Sequence, residues 1–422
     1  MKICVVGSGA REHALAEALA STSEVVVTPG NPGVEAISGV SVTPATPEEV
    51  AADLFVVGPE APLVGGLADR LRARGRKVLG PGADGARLEG SKAFMKRLVE
   101  EAGVPTARWA SFDRLDEACA FLRTLPGPYV VKTDGLAAGK GVLVTPDLRE
   151  AEADVEAKLS GVAFGEAGRR VVVEEGLAGE ELSVFAVCDG RDVAVLPEAR
   201  DHKRLLDGDL GPNTGGMGAL SPVPGLPASV LSDVVEEVLL PTVAELRRSG
   251  VDYRGILYAG LMLTPEGPKL IEYNVRLGDP EAEVVLLRCG GDLAGLLLSA
   301  AEGRLAGGPE VLEDAAVCVV VAAPGYPAGT QVGGEVGGLE AAGAVPGVHL
   351  YHAGIRRDGD GRLRTSGGRV LAVSATGAAL GEARSRAYAA IAQLHFEGMQ
   401  FRRDIGGELE ASEHSEHVGL RG

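Results

Sequence analysis

The 422-residue chain is too long for one compact core, so about two to four domains are expected. Its net charge of −18 argues against nucleic acid or an anionic membrane as a partner, and any anionic ligand must be held by local cations and backbone amides. Five scattered cysteines, the lack of a membrane-length apolar run and charge as early as Arg11 favour a cytoplasmic protein without a signal peptide.

The N-terminal part of the chain alternates apolar runs with helical stretches. Strands are predicted in the apolar runs KICVVG, VVVTPG, DLFVVGPE and KVLGPG. Each run ends at a Gly or Pro or within one residue of it. This rhythm indicates βαβ units on a parallel sheet. The next helix, in EGSKAFMKRLVEEAGVPT, is predicted to stop at Gly103 and Pro105.

The first loop, GSGAREH, lacks the third glycine of a dinucleotide fingerprint, because Glu12 stands in its place. The strand after the next helix offers no acidic residue for a ribose, so no redox cofactor is expected. Two glycines before a helix still predict an anion site made of amides and the positive helix end. A tight turn that needs glycine is the alternative. His13 is interpreted as structural or ligand-contacting, since no nucleophile stands at a fixed spacing from it.

The stretch YVVKTDGLAAGKGVLV has the composition of a phosphate-binding loop but not its spacing. The P-loop pattern is G-x-x-x-x-G-K-[ST] with a helix behind it. Here three residues separate Gly135 from Gly139, Gly141 follows Lys140, and the strand-like GVLVT comes next. The stretch therefore predicts a hairpin whose glycine-rich loop joins two strands.

Helices are predicted beside this hairpin in LDEACAFLRTL and DLREAEADVEAKL, the second opened by Asp147 and Glu150 as a capping pair. In the following strand, RRVVVEEGL, backbone groups at 174–177 could read an adenine edge; two solvated glutamate pairs are the alternative. A long helix is predicted at about 229–248, and a last α+β unit from about 315 ends with the helix GEARSRAYAAIAQL.

The stretch LIEYNVRLGDPE predicts a cation site. Glu272 and Asn274 are two residues apart on a predicted strand, so their side chains share a face. A carboxylate and an amide oxygen suit Mg²⁺, which keeps waters and takes further ligands from phosphates. Arg276 continues the same face and could hold a phosphate or carboxylate. A solvated edge strand is the alternative.

Together these motifs resemble the ATP-grasp enzymes and, among them, the phosphoribosylamine–glycine ligase family. The resemblance runs from Met1 to about Gly406, and it rests on GPEAPLVGGL, LEGSKAFMK, KTDGLAAGKGV, DHKRLLDGDLGPNTGGMGA, YAGLML, IEYNVRLGDPE and TSGGRVLAV. It implies a multidomain α/β and α+β protein. Its parts are an N-terminal Rossmann-like parallel-sheet domain at 1–103, an ATP-grasp lid subdomain at 104–187, a metal and nucleotide subdomain at 188–316, and a small C-terminal α+β domain at 317–422 with a disordered tail from about 407.

The resemblance also assigns functional residues. Nucleotide contacts are Lys92, Lys132, Gly135, Gly139, Lys140, Gly141, Glu174, Glu175, Leu177 and Glu181, with the glycine-rich loop as a flap over the phosphates. Substrate contacts are Gly7, Gly9, Arg11, Glu12, Asn31, Glu60, Asp201, Lys203, Arg276, Gly278, Asp279 and Glu281. Glu272 and Asn274 become ligands of Mg²⁺ or Mn²⁺, and Lys132, Lys140 and Arg276 become catalytic.

The implied activity is the ATP-dependent ligation of glycine to 5-phosphoribosylamine, in de novo purine biosynthesis, through glycyl phosphate and by a monomer. Three rivals remain: another ATP-grasp ligase or carboxylase, an NAD-dependent oxidoreductase, and an inactive nucleotide-binding module. The chain departs from the family at Ala10, where a glycine is usual. The alanine costs about 1 kcal/mol if that residue has a positive φ.

Overall fold

The computed structural model describes residues 1–136, 141–161 and 169–407. Its strands are β1 (Lys2–Gly7), β2 (Glu24–Pro29), β3 (Val40–Val42), β4 (Leu54–Val57), β5 (Val78–Leu79), β6 (Trp109–Phe112), β7 (Tyr129–Thr133), β8 (Val142–Thr145), β9 (Val171–Glu175), β10 (Glu180–Asp189), β11 (Val193–Val195), β12 (Arg200–Asp201), β13 (Arg204–Leu206), β14 (Leu210–Asn213), β15 (Gly218–Ser221), β16 (Arg254–Thr264), β17 (Gly267–Asn274), β18 (Cys289–Gly290), β19 (Glu310–Val311), β20 (Ala315–Ala322), β21 (Val348–His352), β22 (Ile355–Arg357), β23 (Leu363–Thr365) and β24 (Arg369–Gly377).

Helices of the described ranges connect and cover these strands. They are α1 (Ala10–Ala20), α2 (Glu60–Val64), α3 (Leu67–Ala73), α4 (Ala83–Gly90), α5 (Lys92–Glu101), α6 (Leu115–Leu122), α7 (Leu148–Leu159), α8 (Ala228–Val234), α9 (Leu240–Arg248), α10 (Ala282–Val285), α11 (Leu293–Ala301), α12 (Leu339–Gly343) and α13 (Leu380–Ile391). Within the described ranges, none of them combines the length and the apolar character needed to cross a bilayer.

The first sheet is parallel and has the strand order β3–β2–β1–β4–β5. The predicted βαβ arrangement is therefore confirmed, and the runs in β1, β2 and β4 are buried as expected of a sheet covered on both faces. The strand order reverses between β1 and β4, so the loops after these strands meet at one edge of the sheet. Ala10 lies inside α1, and Asp209 is the described non-glycine residue with a positive φ, so the alanine is harmless.

Two four-stranded antiparallel sheets form the centre of the molecule. One has the order β6–β9–β7–β8 and packs against α6 and α7; the other has the order β11–β10–β16–β17. The predicted hairpin across the glycine-rich stretch is β7 and β8, and the predicted hairpin GILYAGLML…KLIEYNVR is β16 and β17. The register of β16 and β17 shifts between Gly260 and Leu261, opposite Glu272 and Leu270. Such a bulge changes the direction of side chains and is common beside functional sites.

The capping pair predicted for α7 is half correct. The Asp147 carboxylate accepts a hydrogen bond from the backbone amide of Arg149 at 2.8 Å, as a cap should. The Glu150 carboxylate accepts instead from the Thr145 hydroxyl, and the backbone amide of Asp147, which a capping box would give to Glu150, donates to that same hydroxyl at 3.1 Å. The predicted helix at 229–248 consists of α8 and α9 with a π turn over Val235–Leu239 between them.

The last sheet has the order β12–β15–β20–β24–β21 and is covered by α13. It pairs β15 with β20 and so joins strands from both sides of the boundary predicted at residue 316. That boundary, like those at 103 and 187, stays a prediction. Residues at and beside β12 and β24, among them Asp201, Lys203 and Arg369, therefore lie close to the central sheets and can take part in one site with them.

Candidate active site

A cleft of about 840 Å³ is lined by residues of all four large sheets or of the loops that leave them. The predicted site residues that line it are Arg11, Glu60, Lys92, Lys132, Gly141, Glu174, Glu175, Leu177, Glu181, Asp201, Lys203, Glu272, Asn274, Arg276, Gly278, Asp279 and Glu281. Gly7, Gly9, Glu12, Asn31 and Gly135 are predicted residues outside this lining. Gly139 and Lys140 lie outside the described residues. Most of the site residues named from the sequence therefore lie in one cleft, although they are far apart in the chain.

Lys132, at the end of β7, is held by a buried ion-pair network. Its Nζ lies 2.8 Å from Glu174, whose other oxygen lies 2.7 Å from the Nζ of Lys96. Burial raises the pKa of Glu174, but the two ammonium groups outweigh it and hold the pKa below its usual range. Burial lowers the pKa of Lys96 to about 8. The carboxylate of Glu174 thus holds Lys132 in the lining of the cleft.

Lys96 is a residue that the sequence analysis missed. It is completely buried on α5, one turn after Lys92, and its Nζ also donates to the Thr106 hydroxyl at 2.8 Å. The available signal was its spacing: positions i and i+4 of a helix share a face, so the predicted contact at Lys92 pointed to Lys96 as well. Lys92 itself opens α5, and its Nζ donates to the Gly135 carbonyl at 3.1 Å. Burial lowers the pKa of Lys92, although Glu272 opposes this effect.

Glu272 and Asn274 both line the cleft, as their spacing on β17 predicted. Opposite Glu272 on β16 is Gly260, where an added Cβ would lie 3.3 Å from the Glu272 Cγ. Within the described residues, no group of three or more His, Cys, Asp or Glu side chains is placed to hold a metal. A cation here would therefore have the two oxygens of β17 and would complete its shell from phosphates and water. That donor set fits Mg²⁺.

Arg276 is engaged by two carboxylates on the side of the cleft that faces the first sheet. Its guanidinium lies 2.6 Å from Glu89 and 3.3 Å from Glu60. Burial raises the pKa of Glu60, but Arg276 outweighs it and holds that pKa below the usual range. Glu89 was missed by the sequence analysis, because its partner is 187 residues away in the chain. In this arrangement Glu60 stays ionised and can accept hydrogen bonds from a ligand.

The crevice between β1 and β4 is filled by a side chain. The Glu12 carboxylate accepts a hydrogen bond from the Gly9 amide at 2.7 Å and lies 2.6 Å from the Arg11 Nε. Its side chain lies against Gly7 and Gly58, so that a Cβ at either glycine would collide with it. A dinucleotide would occupy this edge of the sheet in a redox enzyme. Glu12 leaves no such space, which argues against the NAD-dependent alternative.

Asn31 and His13 connect the first loop to the last sheet. The Asn31 amide donates to the His352 carbonyl at 2.9 Å and to the Ser8 carbonyl at 3.0 Å. The ring of His13 accepts a hydrogen bond from the His352 backbone amide at 3.0 Å. Burial lowers the pKa of His13 to about 3, so the ring is neutral at physiological pH. Its contacts support the structural interpretation of this histidine over an acid–base role.

A second ion-pair network in the lining of the cleft centres on Lys203. Lys203 lies 3.0 Å from Asp201 and is ion-paired with Glu181. Burial opposes the charge of Lys203, but the two carboxylates hold its pKa well above the usual range. Beside them, the Tyr258 hydroxyl donates to Glu281 at 2.5 Å. Tyr258 is a cleft residue that the sequence analysis missed, since an apolar strand pattern gives no sign that its tyrosine faces a ligand.

The chain matches three family models in succession, all described as phosphoribosylglycinamide synthetase: the N domain over residues 1–89, the ATP-grasp (A) domain over 90–282 and the C domain over 316–408. It is 48% identical to the phosphoribosylamine–glycine ligase of Caulobacter vibrioides, over 96% of this chain and 98% of that protein. It is also 48% identical to the enzyme of the same name from Streptomyces coelicolor, over 97% and 99% of the two chains.

Solved structures give the same result. A phosphoribosylamine–glycine ligase from Thermotoga maritima has a TM-score of 0.83 and 37% identity, and the match covers 96% of this chain and 100% of that one. N5-carboxyaminoimidazole ribonucleotide synthetase from the same organism has a TM-score of 0.61 at 18% identity, with 94% and 99% covered. At that identity the second structure shares the fold alone.

Proposed function

The chain belongs to the phosphoribosylamine–glycine ligase family, and from this premise we propose that its cleft joins glycine to 5-phosphoribosylamine through glycyl phosphate. The protein is an ATP-dependent ligase of purine biosynthesis. Its products are glycinamide ribonucleotide, ADP and phosphate. In the proposed route, a carboxylate oxygen of glycine first attacks the γ-phosphorus of ATP, and ADP leaves. The amine of 5-phosphoribosylamine then attacks the acyl carbon, and inorganic phosphate leaves.

One observation carries this proposal: Lys92, Lys132, Glu272 and Asn274 come from three separate segments and line the same cleft. Phosphoryl transfer depends on positioning and on neutralising the charge of the phosphate oxygens, and it needs no protein nucleophile. The two lysines supply positive charge and β17 supplies oxygen ligands beside them, since the Lys132 Nζ donates to the Ile271 carbonyl of β17 at 3.3 Å. Lys132 is fixed by Glu174, so its ammonium group requires little reorganisation when ATP binds.

The family uses ATP and a divalent cation, and we assign Mg²⁺ or Mn²⁺ to Glu272 and Asn274. When bound, the cation neutralises charge on the phosphate oxygens during transfer. Arg276 donates to the Asn274 side-chain oxygen at 3.3 Å and so orients this amide. On the nucleotide side we assign the adenine to the backbone at Glu175 and Leu177, and the ribose to Glu181.

We assign 5-phosphoribosylamine to the side of the cleft formed by the first sheet and the segment after β17. Arg11 reaches this side, and its pKa is raised because Glu12, Asp279 and Glu60 outweigh the effect of burial. Its guanidinium is therefore a permanent positive charge for the sugar phosphate. Glu60 and Asp279 supply carboxyl oxygens for hydroxyl groups, and Gly278 lets the substrate approach the backbone.

We also propose that the protein acts as a monomer in the cytoplasm. Its five cysteines are unpaired, which is typical of a reducing compartment.

An isotope experiment tests the glycyl phosphate. Glycine carrying ¹⁸O in its carboxylate is incubated with ATP, Mg²⁺ and 5-phosphoribosylamine, and the released phosphate is analysed by mass spectrometry. Attack by the carboxylate on the γ-phosphorus moves one labelled oxygen of each glycine into inorganic phosphate. We expect one label per phosphate released. Unlabelled phosphate, or release of AMP and pyrophosphate, would contradict the route.

A further inference from the structure

Glu281 occupies an unusual position in the cleft. Its side chain is almost completely buried yet contributes to the lining, and it follows β17 at the start of α10. One carboxyl oxygen accepts the hydrogen bond from the Tyr258 hydroxyl at 2.5 Å, and that hydroxyl lies 3.0 Å from the Ser183 hydroxyl. The other oxygen lies over the backbone of Gly278, where any Cβ would collide with it. The carboxyl group is therefore fixed from both sides.

The other carboxylates of the described lining have a cation, a backbone amide or the assigned metal as their partner. Of the carboxylates in the described lining, Glu60 and Glu89 meet Arg276, Glu174 meets Lys96 and Lys132, Glu181 and Asp201 meet Lys203, Asp279 meets Arg369, Glu175 accepts from the Arg108 amide, and Glu272 is assigned to the metal. A cation partner favours the ionised form of a carboxylate, although burial still raises the pKa of Glu89. Glu281 instead accepts its hydrogen bond from a neutral phenol, the Tyr258 hydroxyl.

The charges around Glu281 favour proton uptake. Burial, and after it the negative charge of Asp201, raises the pKa of Glu281 to about 7. The Tyr258 hydroxyl and Lys203 act in the opposite direction. Its neighbour on α10, Glu283, is completely buried and lies outside the described lining; burial and Asp279 raise its pKa well above the usual range, although Arg369 and Arg11 oppose this. A carboxyl group of this kind changes its protonation near neutral pH, which is where a general base is most effective.

We propose that Glu281 is the general base of the second half-reaction and accepts the proton that the attacking amine loses. This inference rests on the proposed function, because it requires an acyl phosphate as the electrophile. The lone pair of the substrate NH₂ group forms the new C–N bond, and the C–O bond to phosphate breaks with its electron pair on the phosphate oxygen. The nitrogen, cationic after attack, transfers one proton to a carboxylate oxygen of Glu281. Amide and phosphate are the products, and the proton returns to solvent.

The variant Glu281→Gln separates this role from substrate binding. Glutamine keeps an oxygen that can accept from Tyr258 but has no basic carboxylate. We expect kcat for ligation to fall by about 10²- to 10⁴-fold, the usual contribution of a general base. The wild-type kcat/KM should rise with pH through about 7, and the variant should lose this limb. The matched control is Glu266→Gln, a carboxylate exposed on the β16–β17 turn, which should retain both rate and profile.

Trapping with hydroxylamine tests the two half-reactions separately. Hydroxylamine is a neutral nucleophile that converts glycyl phosphate to glycine hydroxamate without help from a base. Glu281→Gln should form hydroxamate from ATP and glycine at the wild-type rate while ligation to 5-phosphoribosylamine is lost. A variant that ligates normally overturns the role of Glu281. Loss of hydroxamate together with a raised KM for glycine also overturns it, because Glu281 then holds glycine. If the wild type forms no hydroxamate, the glycyl phosphate route itself fails, and the inference fails with it.

Two further variants keep the carboxylate and alter its surroundings. Tyr258→Phe removes a donor that favours the ionised form, so the rising limb of the pH profile should move to higher pH. Gly278→Ala places a methyl group against the carboxylate and should lower kcat for ligation more than the rate of hydroxamate formation. An unchanged profile in Tyr258→Phe would contradict the proposed role.

Discussion

The stability of the protein in mild acid should depend on His13. This ring is 6% exposed, accepts a hydrogen bond from the His352 amide and has a pKa lowered from 6.5 to about 3 by burial. The folded protein therefore holds the ring neutral, while the unfolded chain protonates it below about pH 6.5. Because the pKa is depressed by folding, the full stability is present above 6.5 and is lost progressively as the pH falls toward 3.

The size of this loss follows from the two pKa values. Each pH unit between them costs about 1.4 kcal/mol in the free energy of unfolding. At about pH 5, roughly 1.5 units below the unfolded pKa, His13 should cost the folded state about 2 kcal/mol relative to about pH 8. The variant His13→Asn keeps a side-chain acceptor near the His352 amide and cannot titrate, so it should lack this part of the pH dependence.

Urea unfolding of both proteins at about pH 8 and about pH 5 measures the difference. The quantity compared is the difference in the free energy of unfolding between the two pH values. The smaller asparagine also leaves a gap, which lowers stability equally at both pH values and drops out of that difference. His352 is present in both proteins, so the difference in pH dependence between them reports on the removal of the His13 ring. Equal pH dependence in the two would refute the assignment of a neutral buried ring. A fall in kcat of about 100-fold or more in His13→Asn would instead indicate a proton-transfer role.

Other variants test the nucleotide side of the cleft. Glu272→Ala should abolish ADP formation with unchanged circular dichroism, whereas Glu266→Ala, on the exposed turn of the same hairpin, should turn over normally; activity in Glu272→Ala would rule out the metal assignment. Glu174→Gln leaves two buried ammonium groups without their carboxylate, so the free energy of unfolding should fall by about 3–5 kcal/mol and ATP affinity should fall with it. Unchanged urea unfolding would show that this network is not structural. Arg276→Lys should lower activity because the single nitrogen of lysine cannot reproduce contacts that arginine makes from two different atoms, Nε to Glu60 and Nη2 to Glu89, and steady-state kinetics equal to the wild type would contradict this.

The fold could be predicted where a local pattern decides the structure. The β-branched runs of β1, β2 and β4 end in glycine or proline, or just before one, and are buried on both faces, so periodicity and turn signals agree. The strand β3 was missed because its three residues, VSV, are too few for their apolar–polar alternation to stand out from the flanking loops. The pairing of β15 with β20 could not be predicted, since it joins segments almost a hundred residues apart and no local pattern specifies such a partner.

The residues of the candidate site also fall into those that a local pattern predicts and those that it does not. The spacing of Glu272 and Asn274 on one strand fixed their common face, and the glycine spacing after Lys132 distinguished a hairpin from a P-loop. Lys96 and Glu89 were missed because a charged residue on a helix is usually a surface residue. What makes them part of the site is a partner on a distant segment, Glu174 for one and Arg276 for the other.

The central claim is that this cleft activates glycine with ATP for attack by 5-phosphoribosylamine. The most direct measurement is ADP release with ATP and Mg²⁺, with glycine and with 5-phosphoribosylamine generated in situ, each omitted in turn. The account requires sustained ADP release when both substrates are present, in a one-to-one ratio with glycinamide ribonucleotide. Sustained release that needs neither substrate, or that needs bicarbonate or another carboxylate in place of glycine, would contradict it.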